Sequence, residues 1–385
     1  MGLYRRTRPA SEVSTRFRRL AVLFGASGFV LLAISGWSAW RAYEDIERVT
    51  FGDAVEAAEN LATISAAEVE QLRAAEDAAE QAARIAEQLE LEQDVLAELE
   101  RRRDQFDLGP DAVEFPFVSS PDLPDDMFTS YLLVGVEGGV RADAIILVLM
   151  PQDGSTPLMV SLPRDLYLPN PCTQRYTRIN AGLGGCKGYA SGPELLSLMV
   201  GDYTGIHVDH FARVDFNGFE KVVDALGGVE ICVDYAVRDA KSFLDLPAGC
   251  SRADGFQALA WVRSRRTQEL VDGAWRTIPG VSDFTRQRKQ QDMLFKIVGK
   301  LNSFASFASF SEVARSLSDT VALDERFSFG DAVSLAWNWR GVRSTDVLRI
   351  NITTRDYVTK GGAYVLLPTA SFNERLALYY PTAAR

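Results

Sequence analysis

The sequence predicts an α/β layered domain over residues 127–385, preceded by one transmembrane helix (20–40) and a long helical stalk (45–108). Three observations lead there. From residue 127 onward, short apolar runs bounded by Gly, Asp and Pro alternate with stretches of helical periodicity. The 21 residues from Leu20 to Trp40 carry no charge. Between Asp53 and Leu108 there is neither Gly nor Pro, and Ala, Glu, Gln and Leu dominate, all good helix formers.

The uncharged stretch is long enough to cross a bilayer core, and Trp37 and Trp40 lie at its outer end, where amphipathic rings prefer the interface. A secretory leader would have a shorter apolar core and a small-residue cleavage site. Here Trp-Ser-Ala-Trp-Arg follows, which favours a retained anchor. Arg5, Arg6, Arg8, Arg16, Arg18 and Arg19 precede it in the basic tail 1–19, opposed by Glu12. The positive-inside rule keeps that tail cytoplasmic and places everything after residue 40 outside, in a single-pass cell-membrane topology. Four cysteines, at 172, 186, 232 and 250, suit two disulfides in such a compartment. Of the three connectivities open to four cysteines, the local pairs Cys172–Cys186 and Cys232–Cys250 are expected. Two histidines and no CxxC argue against a zinc site.

The chain has a formal charge of -11. Residues 53–108 hold sixteen acidic residues against five arginines, so the acidity is local to the stalk. Leu72, Ala75, Ala79, Ala82, Ala86 and Leu89 follow a 3-4 spacing, with Ser65, Glu68 and Gln93 breaking the register. A solvated stalk and a dimerising coiled coil both fit this pattern. A small, alanine-rich seam buries little apolar area, which favours the stalk over stalk-mediated self-association. Gly109 and Pro110 end the helix, and 109–126 reads as a proline-bearing linker.

Within the domain, Tyr131–Val136, Ala144–Met150 and Leu158–Leu162 read as buried strands. Helical periodicity follows over Glu194–Val200 and Phe216–Leu226, the latter stopped by Gly227-Gly228. Val229–Val233 is a further strand, and Phe256–Val262 and Phe284 to about Asn302 are helical. Helices near 311–318 and 330–338, and strands near 347–352 and 363–367, complete the pattern.

The chemistry gathers in loops after the strands. Glu137 to Asp143 follows the first and includes Arg141; Pro163-Arg164-Asp165 follows the third. Such loops build the site in open α/β sheets. Arg178 lies in a loop bracketed by Cys172 and Cys186, and residues 261–291 carry seven Lys/Arg against three Asp/Glu. Arginine forks match phosphate oxygens, and carboxylates beside them suit a hard cation such as Mg2+. Together they form the kit of phosphoryl transfer. No GxxxxGK[ST] and no kinase signature is present. Anchor and net charge both argue against a nucleic-acid partner.

The order of these pieces resembles the LytR-CpsA-Psr family of cell-wall enzymes. The matching residues are Arg141-Ala-Asp143, Ser161-Leu-Pro-Arg164-Asp165, Arg178-Ile-Asn180, Gly218-Phe219 through Gly227-Gly228-Val229, Gly255-Phe-Gln257-Ala258-Leu259, Arg263-Ser-Arg265 and Asp283-Phe-Thr-Arg286-Gln-Arg-Lys-Gln290. The resemblance implies an α/β/α domain with a central mixed sheet. It implies transfer of a glycopolymer-phosphate from a polyprenyl-pyrophosphate carrier to peptidoglycan, with Mg2+ (or Mn2+). Asp143, with Glu137 where the family usually has Asp, would be metal ligands. Arg141, Arg164, Arg178, Arg263, Arg265 and Arg286 would grip phosphate. Asp283 and Gln290 would orient them. Asp143, Arg164, Arg263, Arg265, Asp283, Arg286 and Gln290 thus form the expected catalytic set. Phe216, Phe219 and Val223 are candidates for a lipid pocket. Arg178 stands where the family usually has lysine. The inserted segment 267–281 is a candidate flap over the acceptor, with Trp275 to stack on a sugar.

Other residues read more plainly. Asp165 is open between a ligand and a partner for Arg164, and Arg213 stays open. Arg266, Arg276 and Arg288 are expected at the surface, and His207 and His210 as core or surface histidines. Two rivals share the resemblance: a polyprenyl-pyrophosphate hydrolase at the same site, and a non-catalytic sensor or attenuator of cell-wall lipid.

Overall fold

The computed structural model describes residues 40–90, 120–302 and 321–380, except 42, 53, 138–140, 279–282, 339–341 and 343–345. Residues 20–39 of the expected span at 20–40 and the expected helix near 311–318 lie outside the described residues. Among the described residues no helix is long and apolar enough to cross a membrane.

The chain enters through β1 (Glu47–Val49), α1 (Ala54–Ala62) and α2 (Ala66–Glu90). Strands β2 (Phe128–Val136), β3 (Ala142–Pro151) and β4 (Leu158–Leu162) form an antiparallel meander. A hairpin of β5 (Tyr167–Asn170) and β6 (Arg175–Arg178), a 3-10 turn (Ile179–Gly184) and α3 (Gly192–Thr204) lead to β7 (His210–Asp215) and α4 (Phe216–Ala225). Then come β8 (Val229–Val233), β9 (Val237–Asp239), β10 (Leu244–Leu246), β11 (Gly249–Ala253) and α5 (Gly255–Arg263). The hairpin β12 (Gln268–Val271) and β13 (Ala274–Thr277) precedes α6 (Asp283–Asn302). β14 (Val321–Asp324), α7 (Phe329–Asn338), β15 (Leu348–Asn351), β16 (Thr354–Val358), β17 (Tyr364–Pro368) and α8 (Phe372–Ala377) follow.

The main sheet has the order β1-β14-β7-β2-β3-β4-β15 and is mixed. β2 pairs parallel with β7 and antiparallel with β3; β15 pairs parallel with β4. Alternation along the strands splits the apolar side chains between two faces. Leu132, Val134, Ile145, Leu147, Leu158 and Val160 face one core, closed by Leu196, Met199 and Tyr203 of α3 and Phe372 of α8. Ile146, Val148 and Met159 face the other, closed by Phe295 of α6 and Leu335 of α7. A smaller core joins α4, α5 and strands β8 to β11 to Met293 of α6. The expected layers and mixed sheet are therefore present.

The expected stalk at 45–108 is not shown as a separate element: its described part is helical over Ala54–Ala62 and Ala66–Glu90 and touches the domain at several points, while 91–108, like 109–119 of the expected linker, lies outside the described residues. β1 pairs parallel with β14 at the edge of the main sheet, Glu47 opposite Ala322. Phe51 is buried in the main core against Phe211, ring centroids 6.1 Å apart. Ser65 caps α2, accepting from Glu68 N at 3.3 Å while Glu68 accepts from Ser65 N at 3.1 Å. That cap is why Ser65 and Glu68 break the heptad register. Leu72 packs with Leu61, Leu195 and the Cys172–Cys186 pair. Arg73 donates to Thr173 O (2.8 Å), and Asp77 pairs with Arg175 (3.1 Å). The seam at Leu72 is thus used by the chain's own domain. The side chains of Ala82, Ala86 and Leu89 lie outside the described residues.

Candidate active site

Between the main sheet and the smaller core lies a cavity of about 1140 Å3. Its floor is strand: Leu133 and Gly135 of β2, Ala144 and Ile146 of β3, Ala212 and Val214 of β7. Its roof is helix: Phe219 and Val222 of α4, Leu259 and Val262 of α5, Met293 and Ile297 of α6. Gly135 keeps the floor low, since a Cβ there would sit 3.3 Å from Ala144 Cβ. These surfaces make one part of the cavity apolar.

The other part is cationic. Arg141, Arg164, Arg178, Arg263, Arg265 and Arg286 all line it, with Glu137, Asp143 and Gln290. Among the described residues the lining carries eight arginines and one lysine against three carboxylates, so it suits a polyanion. Arg213 and Arg266 are the two arginines beyond those expected. Arg266 was expected at the surface; it is corrected to a lining residue, because the loop after α5 turns it inward.

The fold explains the convergence. β2 ends at Val136 and delivers Glu137; β3 starts beside it and delivers Asp143; β4 ends at Leu162 and delivers Arg164. Arg164 Nη1 donates to Asp143 Oδ1 at 2.6 Å. Arg263 ends α5, a helix N-capped by Asp254, which accepts from Gln257 N at 2.9 Å. It donates to Glu137 and lays its guanidinium 4.5 Å over the Phe216 ring. Arg286 is 5% exposed on α6, and that helix is tied to β4 by Gln291, which donates to Ser161 Oγ at 2.8 Å. Arg141 donates to Ala79 O at 3.2 Å, so α2 reaches the rim. The side chain of Asp283 lies outside the described residues.

Two open readings are decided by position. Asp165 is not among the lining residues; it stands 3.5 Å from Arg164 Nε and 3.5 Å from Arg178 Nε, as a partner that spaces two arginines. Arg178 also donates to Tyr364 O at 3.1 Å. His210, expected at either core or surface, is half-buried: it stacks on Tyr131 (5.2 Å) and sits 3.4 Å from buried Asp324. Among the lipid-pocket candidates, Phe216 and Phe219 line the cavity, but Val223 is corrected. It is 0% exposed inside the smaller core, and its neighbour Val222 takes the lining position. The helical step of 100° turns one residue away as it turns the next inward.

A further lining residue escaped sequence reading. Asp239, 3% exposed, accepts from Ser264 Oγ (2.7 Å), Arg265 N (3.2 Å), Arg266 N (3.0 Å) and Lys241 N (3.0 Å). Burial alone would raise its pKa; the Ser264 hydroxyl and the amides of Arg266, Lys241 and Ser242 outweigh that and hold it below the usual carboxylate value. It ties the turn after β9 to the arginine loop 263–266. A single Asp at the end of a three-residue strand carried no local signal of this.

Residues 124–377 match the LytR_cpsA_psr family. The chain belongs to this family. It is 39% identical over 131 residues to the probable cell wall biosynthesis protein LcpB of Corynebacterium glutamicum, covering 33% of this chain and 29% of that protein. It is 27% identical over 255 residues to the polyisoprenyl-teichoic acid–peptidoglycan teichoic acid transferase TagV of Bacillus subtilis, covering 64% of this chain and 60% of that protein. The matches thus span less than two thirds of either relative. Two solved structures share the fold: the LytR-Csp2A-Psr enzyme from Actinomyces oris and TagT bound to LIIa-WTA. The first has a TM-score of 0.53 at 24% identity, over 68% of this chain and 96% of that one. The second has a TM-score of 0.51 at 23% identity, over 71% and 98%.

Both expected disulfides, Cys172–Cys186 and Cys232–Cys250, are formed. The inserted segment folds as the β12–β13 hairpin and joins β9, with Arg238 placed 4.2 Å over the Trp275 ring. No described residue of 267–278 lines the cavity, so the expected flap and its Trp275 stacking role are corrected. The segment pairs outward with a strand instead of folding over the opening.

Proposed function

We propose that the protein is a membrane-anchored transferase that moves a glycopolymer-phosphate from a polyprenyl-pyrophosphate carrier to peptidoglycan. The observation that carries this reading is one cavity with an arginine-rich end and an apolar end. Those are the two chemistries of a lipid pyrophosphate. Family membership and the transferase names of the relatives support it.

In this reading Arg164, Arg263, Arg265 and Arg286 hold the pyrophosphate oxygens, with Arg141 and Arg178 at the margin. The prenyl tail lies against Phe216, Phe219 and Val222. An acceptor hydroxyl attacks the phosphorus nearer the glycan. A new P–O bond forms, and the bond from that phosphorus to the bridging oxygen breaks. Polyprenyl phosphate leaves with the bridging oxygen and its electron pair, and the acceptor proton passes to solvent. The arginines neutralise charge on the bridging and leaving oxygens, which is where such reactions gain most.

Glu137 and Asp143 would hold Mg2+ or Mn2+. The donor set fits, because Mg2+ binds through one or two carboxylates plus phosphate oxygens, and both carboxylates line the cavity that the arginines line. Such an ion supplies further neutralisation of phosphate charge. Among the described residues the one three-ligand cluster elsewhere, Glu230 with Cys232 and Cys250, has its sulfurs joined in a disulfide.

The anchor at 20–40 and the extracytoplasmic placement are part of the same proposal, supported by the arginine-rich tail and both disulfides. With β1 starting at Glu47, seven residues after Trp40, the domain would stand within about 25 Å of the bilayer, taking ~3.5 Å per extended residue. That suits an enzyme whose carrier is a membrane lipid.

The test is transfer from a polyprenyl-pyrophosphate-linked sugar to a glycan acceptor by the full chain in detergent. Arg263→Ala and Asp143→Ala should each lose about 10²–10³-fold, and chelation should remove activity that Mg2+ restores. Variants that match wild type would sink the mechanism. Equal release of carrier without acceptor would favour the hydrolase rival.

A further inference from the structure

The cavity has a second wall unlike its apolar roof. Ala240, Lys241, Ser242 and Phe243, the turn between β9 and β10, line it beside Arg265 and Arg266. Phe243 is 68% exposed, and its φ is +60°. A bulky side chain rarely adopts that backbone conformation. An exposed ring gains little from burial to offset the strain.

The turn is nonetheless held firmly. Gln257 donates from Nε2 to Phe243 O at 3.3 Å and accepts at Oε1 from Asp245 N at 3.0 Å. Asp239 takes Lys241 N, using the same carboxylate that holds the amides of Arg265 and Arg266. The Phe256 ring, 50% exposed, lies 6.5 Å from that of Phe243. Strain held in place by its surroundings concentrates at ligand clamps.

We propose that Phe243 is the acceptor platform: its ring stacks on a sugar of the incoming glycan and directs a hydroxyl toward the phosphate held by the arginines. This rests on the transferase reading above. In-line displacement sets the attacking oxygen opposite the leaving oxygen. The leaving polyprenyl phosphate keeps its tail under the apolar roof, so the acceptor crosses a different wall. The β9–β10 turn is that wall. It offers an aromatic face for sugar C–H groups, and Lys241, Ser242 and Arg266 for hydroxyls. Exposed Asp245 and Asp254 flank the two rings, which argues against insertion into a bilayer, since burying either carboxylate is costly.

The experiment uses the full chain, a polyprenyl-pyrophosphate-linked sugar and a soluble tetramer of N-acetylglucosamine as the acceptor probe. Phe243→Ala should raise the KM for the tetramer about tenfold, with carrier affinity unchanged. Phe243→Tyr should stay within about twofold of wild type. Saturation-transfer NMR from protein to tetramer needs no turnover; the signal should be present in wild type and Phe243→Tyr and lost in Phe243→Ala. An unchanged acceptor KM, or a loss of carrier affinity instead, overturns the platform. If no form of the protein turns over the carrier, the transferase reading fails by itself, and the NMR comparison still decides the subsite.

Discussion

Arg164 Nη1 meets Asp143 Oδ1 at 2.6 Å, joining the loop after β4 to the start of β3 at the cavity rim. Both side chains are largely covered, and both line the cavity. The pair holds a phosphate-binding cation and a candidate metal ligand in fixed relation before any ligand arrives.

That coupling should be visible in a double-mutant cycle. Arg164→Ala and Asp143→Asn should each lower kcat/KM for transfer by about 10²-fold, and the double variant should fall far short of the product of the two. Strict multiplicativity would show that the two act independently.

Asp239→Asn should lower both stability and function. The carboxylate is acceptor-only, and three N–H groups and one hydroxyl converge on it. An amide brings two donors into that ring of donors. A loss of about 2–4 kcal/mol is expected in denaturant unfolding, with affinity for inorganic pyrophosphate down about tenfold. Normal pyrophosphate binding in a folded variant would remove Asp239 from its positioning role.

Lys289 should leave a mark on the pH profile of stability. Burial pushes its pKa down from 10.5 to about 8, against the pull of Asp239; its ammonium donates to Thr267 Oγ1 at 3.0 Å and lies 4.0 Å over the Trp261 ring. Between pH 8 and 10.5 the unfolded chain holds a proton that the folded chain has released, so stability from this group rises with pH across that window. The penalty is fully present below pH 8. Melting of wild type relative to Lys289→Met should therefore improve from pH 7.5 to 10. A difference that stays constant with pH would contradict the shift.

Removing residues 1–119 should destabilise the remainder. β1 would leave the main sheet, and Phe51 would leave a core in which it is 4% exposed. Phe51 alone contributes about 1.5–3 kcal/mol, so Tm should drop by about 5 °C or more. Equal melting of the two chains would restore the picture of a detached stalk.

Much of the domain was legible. β2, β4, β8, α4, α5 and α6 fall where apolar runs and helical periodicity place them, because each is long or flanked by clear stops such as Gly227-Gly228. Several strands escaped. Among them β1, β9 and β10 have three residues each, and their pairing partners show what no local pattern could. The arginines of the site were legible for a different reason: a motif carries its residue types in the chain itself. Arg266 and Asp239 were not, because a surface arginine and a lining arginine look alike until the loop's direction is known.

By itself the sequence determined the layered α/β class, the local disulfide pairs, the helicity of most of residues 54–90 and the residue types that meet a phosphate. Each of these depends on composition, spacing or short chain separation. Only the tertiary structure decided where those helices lie, which carboxylates pair with which arginines, that Val222 and not Val223 lines the cavity, and that the inserted hairpin turns away from it. Those outcomes depend on contacts between residues far apart in the chain, such as Arg141 with Ala79 at 62 and Arg263 with Glu137 at 126 positions apart. At such separations no periodicity records the partner; the packing of the whole chain selects it.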